Sequence, residues 1–582
     1  MKSFFKSVLA TMVGILLLWT LLFFTFLFVG IASLSSTSTT TVSPNSLLEL
    51  NLNGAIVERV MDNPFDKMFD NSNSQTIGLN QILTAIESAK TDDNIKGISL
   101  CINNIFAPYA TIEELRNALI DFRTSGKFVY AYSEMMPQKS YYLATAGDSV
   151  FLHPQGSIIF SGLSAEVLFF KQLLQKLEIE PQIIRHGEFK SAIEPFVLDK
   201  MSSANREQMQ TYINSTWERV CADIAKSRKI TIDKINATAD SLTLFYNTPM
   251  AVTENFIDGL YYSDEYELLL KKKLKVEKSK DVKKISLSDY SKSLKAKKSS
   301  SNQIAVIYAT GDIMDKEGDY QTIGYNIAKE ISKARQNKTI KAIVLRVNSG
   351  GGSALMSDII WREVMLCKNQ KPIVVSMGDY AASGGYYISC AADYIVAQPT
   401  TLTGSIGVFG VIPNIEKFLS NKLGITTDNV KTNMHADALS LTRPMSDYEK
   451  LVIQKSVENV YDVFLQHVSQ GRNMTVKEVD AIAQGRVWTG ADAMKIGLVD
   501  TLGGLDLAIR IAAERAKIEN YTLVEKPFIK NFFEEFTTTL LESKIAKNMQ
   551  KTQQFYQYYD YFESLSRLNG IQARIPFIIT MQ

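Results

Sequence analysis

One serine, set among small residues, is the first feature of this sequence that could do chemistry. Ser383 lies in the stretch Met377–Tyr387, which reads Met-Gly-Asp-Tyr-Ala-Ala-Ser-Gly-Gly-Tyr-Tyr and follows the β-branched run 373–375. The pattern predicts a strand, a tight turn and the start of a helix. Small neighbours would let a carbonyl carbon approach the serine oxygen, and N–H groups at a helix start can stabilise developing negative charge. Ser383 is therefore a candidate nucleophile, although Ala-Ser-Gly-Gly is equally typical of an ordinary turn.

A second turn of glycines could complete an oxyanion hole. The segment 348–353 reads Asn-Ser-Gly-Gly-Gly-Ser and follows the apolar run 342–347, which is typical of a buried strand. Its free backbone N–H groups could act together with that of Gly384, behind the serine. A glycine turn can also cradle a phosphate, but the sequence lacks the G-x-x-x-x-G-K-[ST] pattern that would favour this interpretation.

Composition does not identify the base that a nucleophilic serine needs. The four histidines, His153, His186, His435 and His467, lie in no recognisable triad context. A lysine can serve instead if burial keeps it uncharged. Most of the 63 basic residues must be surface charges, so composition alone selects none of them.

The elements that must position these residues occur twice along the chain. The matching pairs of segments are 75–80 with 321–326, 95–98 with 340–343, 141–144 with 386–389, and Pro154 with Pro399. The displacement is 245 or 246 residues throughout. So long a period indicates a duplicated domain, because solenoid repeats have units of about 20 to 50 residues.

Each copy alternates helical segments with buried strands, which predicts an α/β fold with parallel strands joined by helical crossovers. The duplication also serves as an internal control on the chemistry. At a displacement of 245, Ser383 aligns with Gln138 and Gly384 aligns with Lys139. Only the second copy therefore has the serine and its glycine turns.

The composition is that of an ordinary folded protein of two or more domains. The 582 residues are 46% hydrophobic and 21% charged, and the net charge of +2 gives no reason to expect nucleic acid. Four widely spaced cysteines form no C-x-x-C pair, so zinc and thioredoxin-like functions have little support. We predict no cofactor and no metal.

The N-terminus predicts a membrane anchor. Lys2 and Lys6 precede an uncharged apolar run over residues 8–29, which is long enough to span a bilayer. Lysines on the short side place the N-terminus in the cytoplasm, so the rest of the chain should lie on the exported, periplasmic side of the inner membrane. Residues 30–32 are Gly-Ile-Ala, which has the form of a cleavage site and leaves signal-peptide removal as an alternative.

Four motifs resemble the signal peptide peptidase A family in its long, duplicated form. They are 346–353, 377–387 and 402–408 in the second copy, and 187–196, which reads Gly-Glu-Phe-Lys-Ser-Ala-Ile-Glu-Pro-Phe, in the first. The resemblance extends from Leu47 to about Arg515. It implies membrane-anchored serine proteases with tandem Clp/crotonase-like domains of the ββα superhelix type. Such enzymes digest cleaved signal peptides and similar apolar peptides through a Ser/Lys dyad and an acyl-enzyme.

The resemblance also implies roles for individual residues: Ser383 as nucleophile, Lys190 as general base, Gly352 and Gly384 as oxyanion-hole donors, and Ser405 as a hydroxyl that orients the lysine. Gly351 is an alternative to Gly352. Short relatives have their lysine at a position that is Ala436 here, and this alanine aligns with Lys190 at a displacement of 246. Each copy thus keeps what the other lacks, and the dyad must form across the copies, within one chain or between chains. The family usually has proline where this chain has Gly350, which puts the rigidity of that loop in doubt.

We expect six segments along the chain: a cytoplasmic stub and transmembrane anchor at 1–32, a flexible spacer at 33–46, a first repeat at 47–270 that supplies the lysine, a lysine-rich linker at 271–300, a second repeat at 301–525 that supplies the serine, and a tail at 526–582 that docks on the body. The expected partners are peptide substrates, the membrane and other copies of the chain, since related folds form rings and a tetramer is expected.

Two other functions are considered. An acyl-CoA enzyme would need a cytoplasmic cofactor, and a non-catalytic scaffold would not need to keep both Ser383 and Lys190.

Overall fold

The structure is a computed structural model that describes residues 6, 11–22, 25, 41–60, 75–294, 300–319, 321–528, 571–574 and 580–581. Most of the predicted anchor and spacer lie outside the described residues, as do 295–299 of the predicted linker and residues 529–570, 575–579 and 582 of the predicted tail. Residues 11–22 are helical and exposed. Within the described ranges, no helix combines the length and the hydropathy needed to cross a bilayer.

After the helical segment 11–22, the described residues of the first half of the chain form thirteen strands and eleven α-helices. The strands are β1 (Ser46–Asn51), β2 (Gly54–Val57), β3 (Gln75–Gly78), β4 (Ile95–Cys101), β5 (Ile105–Phe106), β6 (Phe128–Ser133), β7 (Met136–Pro137), β8 (Ser149–Leu152), β9 (Ile158–Ile159), β10 (Ala165–Glu166), β11 (Glu180–His186), β12 (Gly259–Leu260) and β13 (Lys284–Ser286). The helices are α1 (Leu79–Thr91), α2 (Tyr109–Arg123), α3 (Gln138–Ala144), α4 (Lys171–Lys176), α5 (Glu194–Val197), α6 (Ser203–Arg228), α7 (Ile232–Ser241), α8 (Thr243–Tyr246), α9 (Thr248–Thr253), α10 (Ser263–Leu274) and α11 (Leu287–Ser293).

The second half follows the same pattern. Its strands are β14 (Gln303–Thr310), β15 (Ile340–Ser349), β16 (Gly351–Ser353), β17 (Ile373–Ala382), β18 (Tyr394–Ala397), β19 (Leu402–Gly404), β20 (Val408–Asn414), β21 (Val487–Thr489), β22 (Thr501–Leu502), β23 (Thr522–Lys526), β24 (Ile571–Arg574) and β25 (Thr580–Met581). Its helices are α12 (Tyr325–Gln336), α13 (Ala354–Lys368), α14 (Gly384–Ser389), α15 (Asp447–Arg472), α16 (Val476–Ile482), α17 (Gly490–Lys495) and α18 (Leu505–Arg515).

Each half is built on one large, mainly parallel sheet. The strand order is β12-β8-β6-β4-β1-β13 in the first and β21-β19-β17-β15-β14-β23 in the second, where β18 also pairs with β17. Equivalent elements begin 245 residues apart: β6 and β17, β8 and β18, α2 and α13. The apolar runs of the central strands are buried, as parallel strands covered by helices require. The predicted α/β fold with a duplicated domain is confirmed.

The structure corrects the prediction of a solvated linker at 271–300. Strand β13 pairs in parallel with β1, just as β23 pairs with β14 in the second sheet. The buried side chains of Ile285 and Tyr290 hold this segment against the first core. Most of its described lysines are exposed, and their number concealed a short strand and a helix that belong to the first copy.

A smaller sheet joins the two copies and holds the tail of the chain. Its order is β11-β20-β24-β16. Strand β11 of the first copy pairs antiparallel with β20 of the second over its whole length, from Glu180 opposite Asn414 to His186 opposite Val408. The end of β11 is thereby brought to the edge of the second copy where the serine turn lies. The described tail residues of β24 lie between β20 and β16.

Candidate active site

Ser383 lies in a sharp turn between β17 and α14. Its φ of 56° and ψ of −113° are a conformation that a side-chain-bearing residue adopts only under constraint. Two hydrogen bonds supply that constraint: its N–H donates to the carbonyl oxygen of Gly404 (2.8 Å), and its carbonyl accepts from the N–H of Tyr387 (2.8 Å). Strained turns of this kind present a nucleophile at the end of a strand. The predicted strand, turn and helix are confirmed.

Lys190 comes to this turn from the other copy. It follows β11 and a turn at Gly187, and the N–H of neighbouring Phe189 donates to the carbonyl oxygen of Gln484 in the second copy (2.9 Å). The Nζ of Lys190 lies 2.8 Å from the Oγ of Ser383, within one chain. The two residues that the sequence analysis selected from different copies are therefore in hydrogen-bonding contact.

Ser405 completes the surroundings of the lysine nitrogen. Its Oγ lies 3.0 Å and its carbonyl oxygen 3.1 Å from the Nζ of Lys190. The backbone of Ser405 is itself fixed, because its N–H donates to the carbonyl oxygen of Arg486 (2.7 Å). The Oγ of Ser383 is the third oxygen within hydrogen-bonding distance of the amine. These three contacts hold the amine in one orientation, which is the effect expected of a hydroxyl that orients the lysine.

The lysine is in a dry environment. Lys190 is fully buried, and desolvation lowers its pKa well below the ordinary value of 10.5. The ring of Phe409 lies 6.0 Å from the Nζ, and the absence of a side chain at Gly485 lets the stem pack closely, since a Cβ there would lie 2.7 Å from that of Lys190. Among the described residues, no carboxylate is paired with this amine. An amine in this setting can be neutral and can act as a base.

The two glycine turns meet beside the serine. A Cβ on Gly384 would lie 3.1 Å from the Cα of Gly351, so the turns are in contact. The N–H of Gly351 donates to the Oγ of Ser349 (3.1 Å). Because this bond already uses the N–H of Gly351, Gly352 is favoured as the second oxyanion-hole donor beside Gly384. The functional roles of both glycines remain predictions.

The first copy shows how the chain fills the position that lacks a serine. The side chain of Gln138 donates to the hydroxyl of Tyr109 (2.8 Å), and its oxygen accepts from the N–H groups of Ser161 (3.1 Å) and Gly162 (2.9 Å). These bonds satisfy the hydrogen-bonding groups of the buried Gln138 amide and fix the position of the adjacent loop. Gln138 therefore has a structural role there.

Sequence reasoning missed two features of the site. The first is Phe409, whose ring faces the lysine nitrogen and which packs with Ile193 in a small apolar cluster. The buried run of β20, which continues beyond the motif 402–408, was the available signal for Phe409. The second feature is the tail strand β24, whose contacts at the glycine turn are main-chain pairings that leave no pattern in the sequence.

Comparison of the sequence with known proteins identifies the family of this chain. The model of peptidase family S49 matches two segments, residues 121–277 and 366–519, one in each copy. The chain is 39% identical over 480 residues to Protease 4 of Salmonella typhi, covering 81% of this chain and 76% of that protein. It is 34% identical over 557 residues to Protease 4 of Haemophilus influenzae (91% and 89%), and 34% identical over 468 residues to the chloroplastic serine protease SPPA of Arabidopsis thaliana (77% and 68%). The chain therefore belongs to peptidase family S49 and is a serine protease.

Proposed function

We propose that this protein is a membrane-anchored endopeptidase that digests cleaved signal peptides and similar apolar peptides through a dyad of Ser383 and Lys190. The observation that carries the proposal is the 2.8 Å contact between Lys190 Nζ and Ser383 Oγ in a fully buried site. Among the described residues neither side chain has such a partner in its own copy, so the proposed dyad depends on both copies.

The chemistry follows from the positions of the atoms. Neutral Lys190 takes the proton of Ser383 as the Oγ attacks a peptide carbonyl carbon. The N–H groups of Gly352 and Gly384 stabilise the oxyanion. The lysine ammonium then gives its proton to the leaving amine, which departs and leaves an acyl-enzyme. Water, deprotonated by the same lysine, attacks the ester and releases the second product with Ser383 regenerated.

The remaining parts of the proposal rest on sequence. The apolar run at 8–29 supports an anchor, with the catalytic part on the periplasmic side of the inner membrane. The motifs support two Clp/crotonase-like domains, which we extend to 47–293 and 301–526 because β13 and β23 complete equivalent sheets. An oligomer, expected to be a tetramer, would keep folded proteins away from the site.

A fluorophosphonate probe tests the dyad most directly. We expect it to label the detergent-solubilised full chain, and we expect Ser383→Ala to remove both the label and the hydrolysis of a synthetic signal peptide. Ser389→Ala is the matched control, because this buried serine also lies in α14 but its hydroxyl donates to the carbonyl oxygen of Gly385 (2.7 Å) in its own helix. Lys190→Met should lower peptidase activity at least about a hundredfold, as loss of a general base does. Near-normal activity in Lys190→Met would contradict the assignment of the base.

A further inference from the structure

A short strand of the C-terminal tail, β24, lies where a peptide substrate would have to bind. We propose that β24 (Ile571–Arg574) is an intramolecular ligand of the active site, which occupies the substrate groove in an extended conformation and must leave before a peptide can enter. The proposal rests on the proposed function, because it assigns the groove beside Ser383 to peptide substrates.

The first observation is the pairing of β24 on both of its edges. On one side it runs antiparallel to β16, with Gly352 opposite Ala573 and Ser353 opposite Gln572. On the other side it pairs antiparallel with β20, with Phe409 opposite Gln572. A peptide held by main-chain hydrogen bonds between two strands is a general mode of peptide recognition, and it places no demand on most side chains.

The second observation is the position of one carbonyl group. A Cβ on Gly351 would lie 2.0 Å, and a Cβ on Gly384 2.9 Å, from the carbonyl oxygen of Ala573. This oxygen therefore lies against the two glycine turns, the region to which the mechanism assigns the substrate's oxyanion. By this placement, Ala573 corresponds to the residue that precedes the scissile bond, and its fully buried side chain marks a subsite for a small residue.

The third observation is an ion pair that fixes the register of the strand. The guanidinium of Arg574 lies 2.9 and 3.0 Å from the carboxylate oxygens of Asp312, which precedes the bridge between Ile313 and Gly352. Both side chains are partly exposed, with relative exposures of 19% and 25%. Such a pair is weak enough to be broken by competition, as a displaceable ligand requires.

Peptide binding to an inactive full chain tests the proposal without any need for catalysis. The probe is a fluorescein-labelled synthetic peptide with the sequence of residues 570–582, and the host is the Ser383→Ala protein. Adding Arg574→Glu should weaken the docked strand by replacing attraction to Asp312 with repulsion. We expect the probe to bind about three- to tenfold more tightly to this variant. Amide hydrogen exchange of β16 and β20 should become faster in the same variant without added peptide.

A charge exchange distinguishes displacement from general damage. Asp312→Arg combined with Arg574→Asp keeps an ion pair of opposite polarity, so it should restore the slower exchange. The probe for this host carries the same Arg574→Asp change, because the native peptide would meet a like charge at position 312. With the matched probe, the weaker binding should also be restored. Arg510→Glu is the matched control, because it reverses an exposed arginine paired with Asp506 on α18, away from the groove. It should leave both measurements unchanged.

Two results would overturn the proposal: equal probe affinity with and without Arg574→Glu, or unchanged exchange of β16 and β20. Either would make β24 a permanent part of the sheet. In the active chain, Arg574→Glu should also raise kcat/KM for a signal peptide. Fluorophosphonate labelling at Ser383 with no effect of Arg574→Glu would leave the protease assignment intact and reject only the inference. Increased probe binding without any labelling would reject the dyad and keep the docked strand.

Discussion

At the scale of single residues, the burial of Lys190 supports its proposed role as the base and should also lower the stability of the folded chain. Desolvation lowers its pKa in the folded protein, whereas in the unfolded chain it should titrate near 10.5. Below pH 10.5 the unfolded state therefore binds a proton that the folded state does not, until the pH reaches the folded pKa. Stability should rise with pH across this window, because the unfolded state binds more protons there.

Replacing the lysine by an apolar residue of similar length should remove this dependence. We expect Lys190→Met to abolish activity and to raise the free energy of unfolding, with a gain that grows by about 1.4 kcal/mol for each pH unit below 10.5 until the folded pKa is reached. Urea unfolding of both proteins between pH 6 and pH 10 measures the difference. Lys477→Met, at an exposed position in α16, is the control and should give a small, pH-independent change. A constant difference for Lys190→Met would contradict the desolvation argument.

The same titration should control the rate. Ser383 can be deprotonated only by the neutral amine, so kcat/KM should rise with pH through the folded pKa of Lys190 and be lost below it. Since desolvation lowers that pKa, the rise should be complete well before pH 10.5. A pH profile of signal-peptide hydrolysis from pH 5 to pH 10 measures this limb. An acid limb centred near 10.5 would mean that the base is an ordinary solvated lysine.

At the scale of elements, the turn that contains Gly352 has no room for a side chain. A Cβ there would lie 2.0 Å from the carbonyl oxygen of Ile313, and its φ of 154° lies in the range that favours glycine. Gly352→Ala should therefore displace β16 and its N–H group, lowering kcat by about 10²–10³, as loss of one oxyanion-hole donor does. Gly126→Ala is the control, since its φ of 82° imposes backbone strain but nothing lies within 4 Å. Steady-state kinetics of both variants test this, and equal, small effects would reject the role of Gly352.

The same elements show what could be predicted from the sequence. The apolar runs of β15 and β17 and the constant displacement between copies predicted the parallel sheets and their duplication, because those signals come from local periodicity and burial. The motifs selected Ser383 and Lys190, but no periodicity could show that they meet across 193 residues. Strand β13 was missed because it is only three residues long and has a single buried side chain, Ile285, in a lysine-rich stretch. The place of β24 was missed because it depends on long-range main-chain pairing.

At the scale of the whole molecule, the dyad depends on how the two copies are held together. Arg346 of β15 is buried and binds two carboxylates of the first copy, Glu58 (3.0 Å) and Glu114 (2.7 Å). Arg346→Met would leave both carboxylates buried without their cation, which should cost about 3–5 kcal/mol of stability. It should also reduce activity by loosening the contact between Lys190 and Ser383.

The control and the rescue separate charge from packing in this cluster. Lys329→Met breaks an exposed pair with Glu317 and should cost less than about 1 kcal/mol. The triple variant Arg346→Met, Glu58→Gln, Glu114→Gln removes all three charges and should recover much of the lost stability. Urea unfolding and peptidase assays measure both effects. A triple variant as unstable as Arg346→Met would show that the arginine acts by packing alone.

The second copy contains a counterpart of β11 that has no strand partner within the described chain. By the displacement of 246, residues 426–432 correspond to β11, yet they are exposed and form no strand, with Val430 at 97% exposure. In the first copy this segment pairs with β20, and the counterpart of β20 contains the short strand β10. Head-to-tail pairing of 426–432 with the first copy of a neighbouring chain would repeat the β11–β20 contact and could close a ring. Val430→Asp should therefore lower the mass of the detergent-solubilised oligomer in light scattering, whereas Val476→Asp, at the exposed start of α16, should not. An unchanged mass for Val430→Asp would exclude this segment from the interface between chains.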